Sequence, residues 1–202
     1  MEVDGAEQMK QKLLHKLNKR QGFSLTEMLA TVLIMGFVGI IITTGAATVQ
    51  RVYRKVVAHA NAQTALTTTI TLMKDQLAFA DPESVGNGSE TGTGFGNSQT
   101  IVFKNLNSGE QTITLNPGTA NRGFTLTYTA GNGTGTSSTT LPLLSDSAIT
   151  SDLCVCFDGT DSGFSWDPAT QVITVTNLVA KDTRTDTVQA SASFKVLLVN
   201  DK

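Results

Sequence analysis

A stretch of 22 residues without a charged side chain, from Met28 to Val49, constrains the fold of this chain most strongly. As a helix it would be about 33 Å long, enough to cross a hydrocarbon core of about 30 Å. A buried helix of a soluble protein would show polar positions every few residues. Here the polar side chains are threonines, whose hydroxyls can bond back to the helix's own carbonyls. They are Thr31, Thr43, Thr44 and Thr48. The stretch predicts a membrane-spanning helix.

The charges on either side of this stretch predict its orientation. Five basic residues precede it, and three follow it directly. Because the more basic flank stays in the cytoplasm, we expect the N-terminus inside and residues 51–202 outside. The formal net charge of −2 is the sum of +2 for residues 1–22, +2 for residues 23–80 and −6 for residues 81–202. The acidic outer part argues against a nucleic-acid binder that relies on phosphate contacts.

The helical pattern continues beyond the apolar stretch. Apolar residues recur at helical spacing, and neither Gly nor Pro interrupts residues 46–80. The Asp81-Pro82 pair predicts the stop, because the residue before a proline is biased out of the helical region. We therefore predict one helix over residues 23–80. Its second half would cover a partner with the apolar stripe Leu66, Ile70, Met73 and Leu77.

After Pro82 the composition changes to Gly, Ser, Thr and Asn, and alternating β-branched segments replace the helical pattern. The runs SGE, GNGTG and DPAT between these segments are typical of turns. Together they predict a mostly antiparallel sheet of about six strands that packs on the helix stripe, and hence an α+β fold. The predicted strands are Thr100–Phe103, Gln111–Leu115, Phe124–Tyr128, Leu153–Phe157, Gln171–Thr176 and Ala192–Val199.

The sequence offers little catalytic chemistry in the part after Pro82. Both histidines, His15 and His59, precede it, which excludes histidine-dependent nucleophiles and most zinc sites there. His59 is expected to be a solvated helix residue. Cys154 and Cys156 would share one face of a strand, at a spacing too short for an unstrained disulfide. Two core-facing or partly exposed thiols are the simplest interpretation, and a transient disulfide, a metal site or an intermolecular bond are the alternatives.

Three further motifs favour structural roles. The segment Asp158–Gly163 departs from a calcium loop at the third and twelfth positions, so an ordinary hairpin turn is favoured. The glycine triplets within residues 92–96 and 131–135 lack the strand-to-helix context of a phosphate site and predict flexible connectors. Trp166 is expected to pack at a hairpin, with an exposed adhesive aromatic as the alternative. We therefore expect no catalytic residue, cofactor or metal.

The junction before the apolar stretch carries the most specific pattern. It runs KRQGFSLTEML over residues 19–29, so that Glu27 opens an otherwise uncharged helix. A carboxylate at the bilayer centre costs roughly 2.5–3.5 kcal/mol on insertion scales. Glu27 therefore needs either a cationic partner or a shallow position, where the positive end of the helix dipole favours it.

This junction resembles the N-terminus of type IV prepilins and pseudopilins. In that family a basic leader ends in glycine, phenylalanine follows, and a glutamate is the fifth residue of the new N-terminus, ahead of a long apolar helix. Gly22, Phe23 and Glu27 match in that order. The resemblance covers residues 19–50 closely and residues 51–80 only as a helical pattern. It implies a type IV pilin-like fold, in which a long N-terminal helix packs on a mostly antiparallel sheet.

The resemblance also implies a division of the chain and a function. The leader would be residues 1–22, the assembly helix residues 23–80 with its transmembrane segment at 28–49, and the extracytoplasmic β-rich head residues 81–202. A prepilin peptidase would cut between Gly22 and Phe23 and N-methylate Phe23. The product would be a structural protein rather than an enzyme.

In the family the mature subunit passes from the membrane, through an inner-membrane assembly platform, into a helical filament on the cell surface. Its partners there would be other copies of itself and related pilin subunits. Glu27 would pair with a neighbouring subunit's α-amino group and set the axial register, because a misregistered subunit would bury an unpaired charge.

Two differences from the major pilins of this family favour a minor pilin or a pseudopilin. Thr44 stands where many major pilins have a proline, and the two cysteines are close together rather than well separated. The junction does not distinguish a pilus from a secretion or DNA-uptake pseudopilus. A secreted or single-pass anchored, adhesin-like β-rich domain without a filament is the alternative, with residues 28–42 as a signal h-region and Gly45-Ala46-Ala47 as its cleavage site.

Overall fold

The computed structural model describes residues 24–105, 111–117, 123–132, 135–145 and 152–199. The predicted leader, residues 1–22, and Phe23 lie outside these ranges. The chain divides into two compact units, with the boundary between Tyr53 and Arg54. The first unit contains the N-terminal half of the long helix, and the second contains the rest of that helix and the β-strands.

One α-helix, one short 3-10 turn and nine β-strands form the regular structure of the described ranges. They are α1 (Leu25–Leu77), the 3-10 turn (Pro82–Ser84), β1 (Phe95–Ser98), β2 (Ile101–Lys104), β3 (Thr112–Pro117), β4 (Phe124–Asn132), β5 (Gly135–Pro142), β6 (Leu153–Phe157), β7 (Gly163–Asp167), β8 (Val172–Asp182) and β9 (Thr187–Leu197). A long apolar N-terminal helix therefore combines with antiparallel sheets, which confirms the α+β class.

Helix α1 ends at Leu77, slightly before the predicted end at residue 80. The end of β2 pairs with the chain at this point: Ala80 forms a β-bridge with Asn105, and the Asp81 N–H donates to the Lys104 carbonyl at 2.8 Å. Pro82 then opens the 3-10 turn. The proline thus follows the end of the helix, and the pairing with β2 determines where the helix stops.

The half of α1 in the second unit supplies one wall of the hydrophobic core. The predicted stripe is confirmed, since Leu66, Met73 and Leu77 are buried and Ile70 is partly buried against the core. Three small residues that the stripe did not include are also buried. They are Ala62, Ala65 and Thr69. Small side chains on the packed face let the helix backbone approach the sheets closely.

Strands β2 to β5 form an antiparallel four-stranded sheet in sequence order. Ile101 lies opposite Leu115 and Phe103 opposite Ile113, and all four side chains are buried. Alternate residues of these strands are therefore directed into the core, as a period of two requires.

The other sheet has five strands and is organised around β8, which pairs with β9 along one edge. On its other edge, β7 pairs with the Val172–Thr176 half and β6 with the Leu178–Asp182 half. Both run antiparallel to β8, so β6 and β7 follow each other in the same direction. Residues 158–162 between them loop out from this edge without reversing the chain. The predicted hairpin turn at Asp158–Gly163 is therefore wrong.

A β-bulge at Asn177 divides β8 into two halves, in which opposite sets of alternate residues face the core. Asn177 has a φ of 53°, and the register with β9 shifts between Val175 and Leu178. Before the bulge Ile173 and Val175 belong to the core, and after it Leu178 and Ala180 do. The extra residue moves the core-facing positions from odd to even numbers, which keeps both halves of a long strand against one core.

Each of the six predicted strands corresponds to an observed one, but the single sheet of six is wrong. The prediction lacks β1, β5 and β7, and the strands form two sheets. The prediction that the glycine runs form connectors holds only in part. Gly92 and Gly94 lie outside the strands, before β1, and Gly133 lies outside the described residues. By contrast, Gly96 lies within β1, Gly131 lies in β4, and Gly135 begins β5.

Candidate functional site

Helix α1 begins at the predicted junction. The Ser24 carbonyl accepts hydrogen bonds from the backbone N–H groups of Glu27 at 2.9 Å and Met28 at 3.1 Å, and the Ser24 hydroxyl lies 2.7 Å from the Thr26 hydroxyl. Glu27 lies in the first turn, where the helix dipole favours a negative charge. Sequence reasoning missed the role of Ser24 as the residue before the helix. The signal was present, because serine three residues before glutamate is common at helix starts.

The structure describes only part of the predicted processing site. Gly22 and Phe23, the predicted cleavage and methylation residues, lie outside the described residues. Glu27 lies inside them, is exposed, and forms no ion pair with another described residue. The described part of the chain therefore supplies no cation for this carboxylate at the start of the apolar surface.

The first unit presents an apolar surface that its own residues do not cover. Every described side chain from Ser24 to Tyr53 is exposed. The large apolar side chains include Met28, Leu29, Val32, Met35, Phe37 and Ile41. Continuous apolar surfaces of this extent mark contacts with a membrane or with other proteins. By length and composition, α1 can cross a membrane, and none of its most apolar 18-residue window is buried.

The threonine hydroxyls of the uncharged stretch Met28–Val49 are satisfied within the helix. The hydroxyls of Thr43, Thr44 and Thr48 each donate to the carbonyl four residues earlier at 2.7–3.0 Å, and Thr31 donates to Met28 at 2.8 Å. The predicted back-bonding of these threonines is confirmed. It leaves the uncharged stretch Met28–Val49 with no hydroxyl that needs water, which is the condition for a helix segment in hydrocarbon.

In the second unit the two cysteines, hereafter the cysteine pair, are free thiols on β6. Cys154 is buried and Cys156 is half-buried. A hydrogen bond with the Cys156 side chain, helped by the Gly123 backbone and by Lys181, lowers the pKa of Cys154 to about 7 although burial opposes the shift. The same hydrogen bond and burial raise the pKa of Cys156. The pair therefore holds one sulfur that ionises readily and one that keeps its proton.

Lys181 of β8 is a cation whose charge lowers the pKa of both thiols. It lies opposite Cys154 in the strand register, and its ammonium lies 2.8 Å from the Asp186 carboxylate and 3.7 Å from that of Asp158. The hydrogen bond with Asp186 raises the pKa of Lys181, so this side chain stays charged at neutral pH.

The other residues singled out in the sequence lie in environments that favour structural roles. His59 is exposed on α1 beside Gln63 at 3.0 Å, which confirms the solvated helix position. Trp166 is buried beside the β7–β8 hairpin, which confirms the predicted packing and leaves no adhesive aromatic there. Among the described residues, His, Cys, Asp and Glu do not form a group of three or more that could hold a metal.

Comparison of the chain with models of protein families, with curated proteins and with solved structures finds no match. The residues of the junction, the uncovered apolar surface and the head are therefore the basis for assigning a function.

Proposed function

We propose that this chain is a structural subunit of a type IV pilus or pseudopilus, in the role of a minor pilin or a pseudopilin. In this proposal a prepilin peptidase removes residues 1–22 and N-methylates Phe23. The mature subunit is first anchored in the membrane by α1, and it then enters a helical filament with copies of itself and related pilins. The β-rich part of the second unit, residues 81–202, is the head that faces the exterior.

The observation that carries the proposal is the position of Glu27. It is the single charge at the start of a long apolar surface, it lies in the first turn of α1, and the Gly22-Phe23 pair stands directly before that turn. In a simple membrane anchor, a carboxylate at this position would only add a cost to insertion. In a filament it would have a function, because the α-amino group of a neighbouring subunit's Phe23 can pair with the Glu27 carboxylate.

The packing of α1 supports the same function. In the second unit one stripe of the helix is buried in the head's own core, whereas in the first unit apolar side chains are exposed on every side. A helix that is apolar all round must be surrounded on all sides by lipid or protein. A membrane before assembly and neighbouring helices after assembly satisfy this requirement in turn.

The helix also disfavours the alternative of ordinary secretion. Its cleavage site would be Gly45-Ala46-Ala47, and these residues lie inside uninterrupted α1, where the Thr48 hydroxyl bonds to the Thr44 carbonyl. A peptidase needs an extended backbone, so the helix would first have to unwind at this point. The cleavage site proposed at Gly22 lies outside the described helix, which begins at Leu25.

The proposal predicts that the chain is found in surface filaments. Filaments sheared from cells and purified by sedimentation should contain the chain in its processed form, while an integral membrane marker from the same cells stays with the cell pellet. If all of the chain remains in the membrane fraction, or is released as soluble monomer, the proposal is wrong and the anchored or secreted alternative applies.

A further inference from the structure

One face of the four-stranded sheet is lined with hydroxyl groups. In β3, Ile113 and Leu115 belong to the hydrophobic core, so the alternate residues Thr112 and Thr114 lie on the opposite face. The strand register places a hydroxyl residue of β4 and one of β5 beside each of them. These two rows, hereafter the hydroxyl face, consist of Thr112, Thr129 and Ser138 in the first and Thr114, Thr127 and Thr140 in the second. All six side chains are exposed or half-buried.

The hydroxyl face is uncharged, and its groups are open to a ligand. Strands β3, β4 and β5 contain no charged residue, although Lys and Glu are common on exposed surfaces. The Thr127 and Thr140 hydroxyls lie 3.0 Å apart, and the other four side chains form no hydrogen bond with a described residue. Each hydroxyl has one donor and two acceptor positions, so every member can both donate to and accept from a ligand. Neighbours in a row are separated by the strand spacing of roughly 4.8 Å.

The first row continues into a cavity of about 310 Å³ at the β2 edge of the sheet. Lys104 of β2 lies opposite Thr112 in the register, so the two side chains share the face, and both residues line the cavity. Asp81 and Glu83, at the 3-10 turn, also line it. Small-molecule sites have volumes of roughly 300–1,000 Å³, so this cavity is large enough for a small ligand. The row of hydroxyls therefore ends in a concave site with one basic and two acidic residues.

These properties together favour an uncharged, hydroxyl-rich ligand. A polyanion would need a row of cations, and a membrane or an apolar peptide would need a continuous apolar patch. Ice would need a flat, uncharged surface, whereas this one ends in a concave site with charged residues. Sugar hydroxyls both donate and accept, and charged side chains form strong hydrogen bonds with them. One hexose unit of an extended polysaccharide is close in length to the strand spacing, so successive units can reach successive hydroxyls of a row.

We propose that the hydroxyl face binds an uncharged polysaccharide. One sugar unit occupies the cavity beside Lys104, and the following units lie over Thr112, Thr129 and Ser138. Binding uses hydrogen bonds, and no bond of the sugar is formed or broken. The proposal does not depend on the proposed filament function, because the whole site lies in the second unit. It applies equally to a filament subunit and to an anchored or secreted domain.

The test is calorimetric titration of the full-length chain, in a detergent without a sugar head group, with hexasaccharides of glucose, mannose, galactose or N-acetylglucosamine. We expect at least one of them to bind, one per chain, with an affinity that does not change with salt because the ligand is uncharged. Thr112→Val and Thr127→Val each replace a hydroxyl with a methyl group and should weaken binding by about 2- to 10-fold. Thr174→Val is the matched control. Thr174 is a half-buried threonine of β8, between the core residues Ile173 and Val175, and its loss should leave binding unchanged.

Three results would overturn the proposal. In the first, none of the hexasaccharides binds to the wild-type chain at millimolar concentration. In the second, binding is undiminished in the Thr112→Val, Thr127→Val double variant. In the third, the wild-type chain stops the recrystallisation of ice but binds no hexasaccharide, which would assign the hydroxyl face to ice. The first and third results come from the wild-type chain, so they decide the question even if a variant fails to fold.

Discussion

Glu27→Ala is expected to leave processing intact and to remove the chain from filaments. In the proposed filament, Glu27 compensates the α-amino group of a neighbouring subunit inside an apolar bundle. Removing one member of a buried pair leaves an uncompensated charge at a cost of about 3–5 kcal/mol. Since about 1.4 kcal/mol is a tenfold change in affinity, incorporation should fall by roughly 100-fold or more. The measurement is the ratio of the chain in sheared filaments to the chain in membranes.

Two matched variants separate the role of the Glu27 charge from a general effect on α1. Glu27→Gln keeps the shape and removes the charge, so it should fail as Glu27→Ala does. Asp75→Ala removes another exposed carboxylate of the same helix, where no pairing with a neighbour is proposed. Its incorporation should stay within about twofold of wild type, the range of an ordinary surface change. Normal incorporation of Glu27→Ala would show that the proposed register mechanism is wrong.

Phe164→Ala is expected to destabilise the head by about 3–5 kcal/mol. Phe164 is fully buried on β7, and its ring meets Phe157 of β6 at 5.1 Å and Phe124 of β4 at 6.3 Å, both in edge-to-face geometry. These rings come from both sheets. The variant would therefore leave a cavity where the two sheets meet and remove two aromatic contacts, each worth about 0.5–1.5 kcal/mol beyond burial.

Denaturant unfolding of the full-length chain measures this loss, because Trp166 is the single tryptophan and lies buried in β7. Its fluorescence reports on the head. Phe79→Ala is the control, since Phe79 is 46% exposed, and it should cost no more than about 1 kcal/mol. A Phe164→Ala chain that unfolds at the wild-type denaturant concentration would show that the three rings do not hold the sheets together.

The helix and the packed stripe could be predicted from the sequence because their signals are local. A run without charged residues identifies the apolar half of α1. The recurrence of apolar residues every three or four positions identifies Leu66, Met73 and Leu77 as the face that packs on the core. The end of the helix could not be predicted to the residue. It depends on the bridge between Ala80 and Asn105, which lie far apart in the sequence.

Two of the three missed strands, β1 and β5, lack the pattern on which strand prediction rests. Strands β1 and β5 lie at sheet edges and carry Gly, Ser, Thr and Asn, so they show no alternation between apolar and polar residues. The predicted strand at Gln171–Thr176 stops where the bulge at Asn177 reverses the phase. The periodicity before Asn177 therefore gave no indication that β8 continues to Asp182.

Of the candidate sites, Glu27 could be predicted from local sequence features, whereas the environment of the cysteine pair could be predicted only in part. Glu27 could be identified from the sequence, because a single charge at the edge of an apolar run is a local feature. The common face of Cys154 and Cys156 was also predicted, and it follows from their spacing. That Leu153 and Val155, rather than the cysteines, join the hydrophobic core could not be predicted, because it depends on the shifted phase of β8 and on the pairing of β6 with its second half.

The N-terminal residue of the mature chain is the most direct test of prepilin-type processing. Chain purified from membranes and from filaments should be sequenced from its N-terminus and weighed intact by mass spectrometry. We expect N-methylated Phe23 as the first residue in both fractions. A chain that begins at Met1 would be a simple anchor, and one that begins at Thr48 would be an ordinary secreted protein; either result would contradict the proposed function.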